Sequence, residues 1–192
     1  MAACAGYVDP VRVWTIPNVV TFWRLLAVPL FAVLHALGNV RAALWVFVAA
    51  GVSDGIDGLL ARLLNQRSRL GALLDPIADK LLVTTALAAL TFTGQVPGWF
   101  FVLVFLRELM MTGGALWIWM HALSVPASPG HFGKYGVFFM LATVLLGLIS
   151  RLPEREMAVR PWLAVATILA AECVLVSAAQ YAWRGIDRPI GR

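Results

Sequence analysis

Charge is scarce in this chain: of 192 residues only 13% are Asp, Glu, Lys or Arg, against 61% hydrophobic. Cysteine is scarcer still. Cys4 and Cys173 lie far apart without metal-ligand spacing, which excludes a disulfide framework and a thiolate zinc site, so both read as inert thiols. No run of Lys or Arg occurs. The basic pI of about 9.9 therefore does not point to nucleic acid; the arginines fall between apolar segments and suit membrane headgroups instead. The opening MAACAGYVDPVRVWTIPN lacks a basic region followed by an apolar core, so a cleavable signal peptide is not expected and the first apolar segment reads as a retained span. Nothing suggests a separate soluble domain. A single membrane domain is expected over residues 1–192, with an amphipathic N-terminal segment over about 1–15.

What is present in quantity is apolar length. Mean hydropathy is +0.84, and six stretches approach the roughly 20 residues that cross a hydrocarbon core. They run from Ile16 to Leu37, Arg41 to Leu63, Leu70 to Phe92, Pro97 to Met120, Phe132 to Ile149 and Pro161 to Trp183. The expected fold is all-α, an integral membrane bundle of six transmembrane helices. Eight tryptophans and ten phenylalanines fit lipid contact and interfacial belts. Arg12, the group Arg62, Arg67 and Arg69, Lys134, and the tail arginines 184, 188 and 192 place both termini on the cytoplasmic side by the positive-inside rule. Arg151, Arg155 and Arg160, accompanied by Glu154 and Glu156, run against that rule.

Against this background the acids stand out. Four of ten, Asp54, Asp57, Asp75 and Asp79, fall between Ser53 and Lys80. A carboxylate at membrane depth costs about 2.5–3.5 kcal/mol, so four together call for a compensating cation or a wet functional cavity. Asp54 and Asp57 are three residues apart and Asp75 and Asp79 four apart, which puts each pair on one face of its own helix. The polar stretch 65–69 with Gly71 after it reads as the turn of a helical hairpin. Four carboxylates near one end cannot all stay ionised without counterions. An oxygen-only donor set suits Mg2+ or Mn2+ over Zn2+, and chemistry with such cations is usually displacement at phosphorus.

As a pattern the stretch reads D-x-x-D-G-x-x-A-R-x8-G-x-x-x-D-x-x-x-D, filled by Asp54, Asp57, Gly58, Ala61, Arg62, Gly71, Asp75 and Asp79. It resembles the signature of the CDP-alcohol phosphotransferases at every fixed position. The resemblance implies transfer of a phosphatidyl group from CDP-diacylglycerol to a hydroxyl, with release of cytidine monophosphate. It implies Asp54, Asp57 and Asp75 as metal ligands for two Mg2+ or Mn2+ ions, and Asp79 as general base with a share in coordination. Gly58, Ala61 and Gly71 would let the nucleotide approach the helices, and Arg62 would pair with a donor phosphate. It also implies a homodimer.

The run IPNVVTFWRLLAVP is similar to the opening of the phosphatidylglycerophosphate synthase and cardiolipin synthase branches, which makes Asn18, Thr21 and Arg24 contributors to a cytoplasmic-side cavity, Asn18 and Thr21 toward the donor. The plainer alternative is an interfacial Trp14, Pro17 at a helix start, Asn18 near the cap and a snorkelling arginine. Lys80 reads as a countercharge to the carboxylates. Arg107 and Glu108 sit inside an apolar run; adjacent residues do not share a helix face, so a mutual salt bridge is not expected, and Arg107 reads as an anion site. With Lys134 it would bind the phosphate of glycerol 3-phosphate, as the resemblance to phosphatidylglycerophosphate synthases implies. Ala115, where that branch has a second arginine, and the apolar Tyr135–Phe139 after Gly133-Lys134 depart from it and leave room for phosphatidylglycerol, the acceptor of a cardiolipin synthase. Gly113-Gly114 reads as close helix packing, and His131 as a solvated loop residue. Glu172 has no assigned part. A carboxylate-lined cation transporter is the alternative of another class, but the acids sit on one hairpin with no visible repeat.

Overall fold

A computed structural model describes the backbone of residues 16–64, 69–120 and 131–186, and side chains over 22–53, 77–114 and 133–180. Among the described residues the chain is entirely helical: α1 Ile16–Ala36, α2 Val40–Leu64, α3 Arg69–Phe92, α4 Gly98–Met120, α5 His131–Ser150 and α6 Glu156–Ile186. These follow the six apolar stretches closely. The sixth helix differs, starting five residues before Pro161. Glu156 stands at the positive end of the helix dipole and lies 3.8 Å from Arg160 one turn on, so the first turns form upstream of the proline. The expected N-terminal segment 1–15, the turn 65–68, the connection 121–130 and the tail 187–192 lie outside the described residues.

Length and apolarity sort the helices. Gly133–Ser150 in α5 and Glu156–Gln180 in α6 are the two described stretches long and apolar enough to cross a membrane, and Phe22–Ala36 and Val40–Ser53 are shorter apolar runs. The chain divides into two compact units, residues 1–89 and 90–192.

In the first unit α1 and α2 pack as an antiparallel pair joined by a tight turn. Gly38, at φ 76°, donates to the His35 carbonyl (3.1 Å) while Asn39 donates to Leu34 (3.0 Å), the paired bonds of a glycine C-cap. Asn39 Oδ1 then accepts from the Ala42 amide at 3.3 Å and caps α2. The seam follows steps of four residues on α1 and of three and four on α2. Ala27, Phe31 and His35 are buried on α1, and Val40, Ala43, Phe47 and Ala50 on α2. Phe31 and Phe47 meet across it with ring centroids 6.0 Å apart, which fixes the register. On α3, Ala78, Leu82, Val83, Ala86 and Leu87 are buried.

The second unit opens on another glycine cap, Gly94 at φ 75°, donating to Thr91 (3.0 Å) while Gln95 donates to Leu90 (2.9 Å). α5 and α6 pack closely where α5 is thin: a Cβ on Gly136 would sit 3.5 Å from the Cβ of Cys173, and one on Gly133 would sit 3.8 Å from Ser177 Oγ. Cys173, a free thiol, is thus part of a helix contact. Gly147 lies against Leu90, whose Cδ1 would be 2.7 Å from an added Cβ. Ser150 Oγ, 2.9 Å from Gln95 Oε1, ties the end of α5 to the segment before α4.

Candidate active site

The signature residues fall on two uninterrupted helices. Asp54, Asp57, Gly58, Ala61 and Arg62 lie in the last three turns of α2, and Gly71, Asp75 and Asp79 in the first three of α3. Because neither helix breaks, the three- and four-residue spacings translate into shared faces. Asp57 stands seven residues before the end of α2 and Asp75 six after the start of α3, about 10.5 and 9 Å along the axis. The side chains of Asn18, Thr21, Asp54, Asp57, Gly58, Ala61, Arg62, Gly71 and Asp75 lie outside the described ones. Asp79 is exposed and Lys80 half-buried. Among the described residues no group of three His, Cys, Asp or Glu forms a metal cluster. The four signature carboxylates, with no nitrogen or sulfur donor among the pattern's fixed acids, are of the chemistry that a hard divalent cation takes.

Arg24 departs from the snorkelling alternative. It is 1% exposed, the largest of the fully buried side chains among the described residues, three residues before the buried Ala27 on α1. A snorkelling arginine would keep its guanidinium in water.

Arg107 and Glu108 correct another expectation. Their side chains form an ion pair through Arg107 Nη1 and Glu108 Oε1, with side-chain exposures of 11% and 13%. Neighbouring residues project about 100° apart on a helix, but both side chains are long, and withdrawn from water each is the other's nearest counterion. The pairing engages only part of the guanidinium. Arg107 Nε is buried and finds no hydrogen-bond partner among the described residues.

Lys134 is exposed in the first turn of α5. Its depth relative to Arg107 can be read along α6. The Gly133–Ser177 and Gly136–Cys173 contacts put Lys134 level with residues 175–176. Trp99 lines a cavity with residues 160–168 of α6, so eight residues on, Arg107 is level with the stretch between about residues 168 and 176. The two cations thus lie within about eight residues of each other in depth, at most roughly 12 Å. That cavity, of about 240 Å³ and also lined by Gln95, Arg160 and Thr167, lies at the other end of α6 from Lys134.

A family model described as CDP-alcohol phosphatidyltransferase matches residues 14–185, nearly the whole chain. The chain belongs to this family. A putative cardiolipin synthase of Mycobacterium tuberculosis is 38% identical over 141 residues, covering 71% of this chain and 66% of that protein. A CDP-diacylglycerol–glycerol-3-phosphate 3-phosphatidyltransferase of Cereibacter sphaeroides is 43% identical over 108 residues, 52% of this chain and 48% of the other. A probable phosphatidylglycerophosphate synthase of M. tuberculosis is 37% identical over 143 residues, 71% and 66%. The chain spans just under two thirds, or less, of these relatives' own length. Membership places it among the CDP-alcohol phosphatidyltransferases, and the two membrane-length helices among the described residues agree with association with a membrane.

Proposed function

We propose that this phosphatidyltransferase moves the phosphatidyl group of CDP-diacylglycerol onto the primary hydroxyl of glycerol 3-phosphate, forming phosphatidylglycerophosphate and cytidine monophosphate. The observation that carries the choice of acceptor is Arg107: a guanidinium largely withdrawn from water, neutralised on one side by Glu108, with a buried Nε donor still unused among the described residues. A phosphate accepts from such a fork by parallel charge-assisted bonds, and Lys134, exposed in the first turn of α5, adds a second positive charge.

Asp54, Asp57 and Asp75 would hold one or two Mg2+ or Mn2+ ions, with Asp79 sharing in coordination. Bound there, the metal would neutralise the diphosphate oxygens and the leaving group. Asp79 takes the proton of the acceptor hydroxyl. The acceptor oxygen bonds to the lipid-side phosphorus, the bond from that phosphorus to the bridging oxygen breaks, and cytidine monophosphate leaves with the bridging oxygen. Arg62 steadies the donor diphosphate, Gly58, Ala61 and Gly71 leave room for the nucleotide beside backbone, and Asn18 and Thr21 line the donor side from α1. The six helices span the bilayer with both termini and the site on the cytoplasmic side, where a lipid donor presents its diphosphate, and two copies associate through exposed apolar faces.

A second acceptor has its own support. The apolar residues after Lys134 are outward-facing, with Tyr135 58% and Phe138 64% exposed, a surface suited to a lipid acceptor, and a relative 38% identical carries the name putative cardiolipin synthase. Purified protein in liposomes with CDP-diacylglycerol and Mg2+ or Mn2+ decides between them, with glycerol 3-phosphate and phosphatidylglycerol supplied separately and lipid products identified by mass. Phosphatidylglycerophosphate is the expected product. Cardiolipin from phosphatidylglycerol, with glycerol 3-phosphate unused, transfers the assignment to the second acceptor. No cytidine monophosphate with either acceptor overturns both.

A further inference from the structure

We propose that Arg24 is a positioning residue for the α2 carboxylates, a built-in counterion whose buried charge holds Asp54 and Asp57 in place before any cation arrives. This rests on the reading of those aspartates as metal ligands.

The placement comes from register. Phe31 and Phe47 touch across the α1–α2 seam. Arg24 precedes Phe31 by seven residues and Asp54 follows Phe47 by seven, two helical turns along antiparallel helices on the same faces. The two positions are therefore level, on the strip that buries Ala27 and Phe31 on one side and Ala43, Phe47 and Ala50 on the other. Asp57 continues the α2 strip one step further, seven residues after Ala50. Helical side chains lean toward their own N-terminus. On α1 that direction carries a long arginine from the level of residue 54 toward that of residue 57.

Charge makes the same assignment independently. Arg24 is 1% exposed, and a guanidinium so withdrawn requires compensating negative charge nearby. Between residues 16 and 89 the four signature aspartates are the only acids. Of these, Asp54 and Asp57 lie on the helix that α1 packs against. One buried cation beside two carboxylates leaves a net negative pair: enough compensation to keep the metal-free protein folded, and enough residual charge to draw a divalent ion.

A double-mutant cycle on thermal unfolding in metal-free detergent solution tests this without reference to turnover. Arg24→Gln is expected to lower the unfolding midpoint by roughly 5–10 °C, the shift for breaking a buried pair in a chain of this size. Adding Asp54→Asn should restore most of that loss, and Arg24→Lys should keep most of the wild-type midpoint. Millimolar Mg2+ should raise the midpoint of Arg24→Gln more than that of wild type. If Arg24→Gln fails to fold, recovery of a folded helical protein by Arg24→Gln/Asp54→Asn or Arg24→Gln/Asp57→Asn supports the pairing. Additive losses, or no recovery with either asparagine, overturn it. Since the readout is stability, a negative result here is separate from failure of the phosphatidyl transfer assay.

Discussion

Phe31 and Phe47 face each other across the Gly38 turn with ring centroids 6.0 Å apart, and this contact brings Arg24 level with Asp54. It connects an apolar seam near the turn to the polar end of the same two helices, where the signature begins.

Removing the proposed base should stop the reaction and leave the fold intact. Asp79 is exposed, so Asp79→Asn disturbs no packed core. Cytidine monophosphate release should fall by about 10²–10⁴-fold with the helical circular dichroism unchanged. Activity within a few fold of wild type would remove Asp79 from that role.

Chelation separates the metal requirement from the fold. Treatment with EDTA should abolish cytidine monophosphate release, and Mg2+ or Mn2+ should restore it where Zn2+ does not, because the four proposed ligands are all carboxylates. Asp54→Asn, Asp57→Asn and Asp75→Asn should each raise the half-saturating metal concentration. Full turnover in EDTA would refute the ligand assignment.

The acceptor assignment is read in the split between KM and kcat. Arg107→Met should raise KM for glycerol 3-phosphate by about tenfold or more, the weight of a charge-assisted contact of roughly 1.5–3 kcal/mol, with a smaller effect on kcat. Arg107→Lys should recover it only partly, since an ammonium lacks the planar fork. An unchanged KM would detach Arg107 from the acceptor phosphate.

Packing between α5 and Leu90 is testable by volume. Alanine at Gly147 gains helix propensity but would bring its Cβ to 2.7 Å from Cδ1 of the fully buried Leu90, so Gly147→Ala should destabilise by about 1 kcal/mol as Leu90 shifts. Gly147→Val adds branched bulk where Leu90 is fully buried and should destabilise by about 1–3 kcal/mol, partly reversed by Leu90→Ala. Denaturation midpoints of the four proteins check this.

Gly38 holds the α1–α2 turn in the left-handed region at φ 76° with open space around its missing Cβ. Gly38→Ala should therefore cost about 1–2 kcal/mol through backbone strain alone. A neutral substitution in thermal unfolding would show that the turn can relax.

The sequence by itself determined what depends on local spacing: six helices from apolar length, and paired aspartates on common faces from steps of three and four, because a helix repeats every 3.6 residues wherever it sits. The family was legible for the same reason, its signature being a set of intervals along two helices. Tertiary structure decided what depends on neighbours distant in the chain or on rotamers. Arg24 appeared as an arginine that could snorkel, and only its burial in the folded chain withdraws it from water. Arg107 and Glu108 belong on different faces by periodicity, yet pair because burial removes the solvent that would otherwise keep two adjacent charges apart.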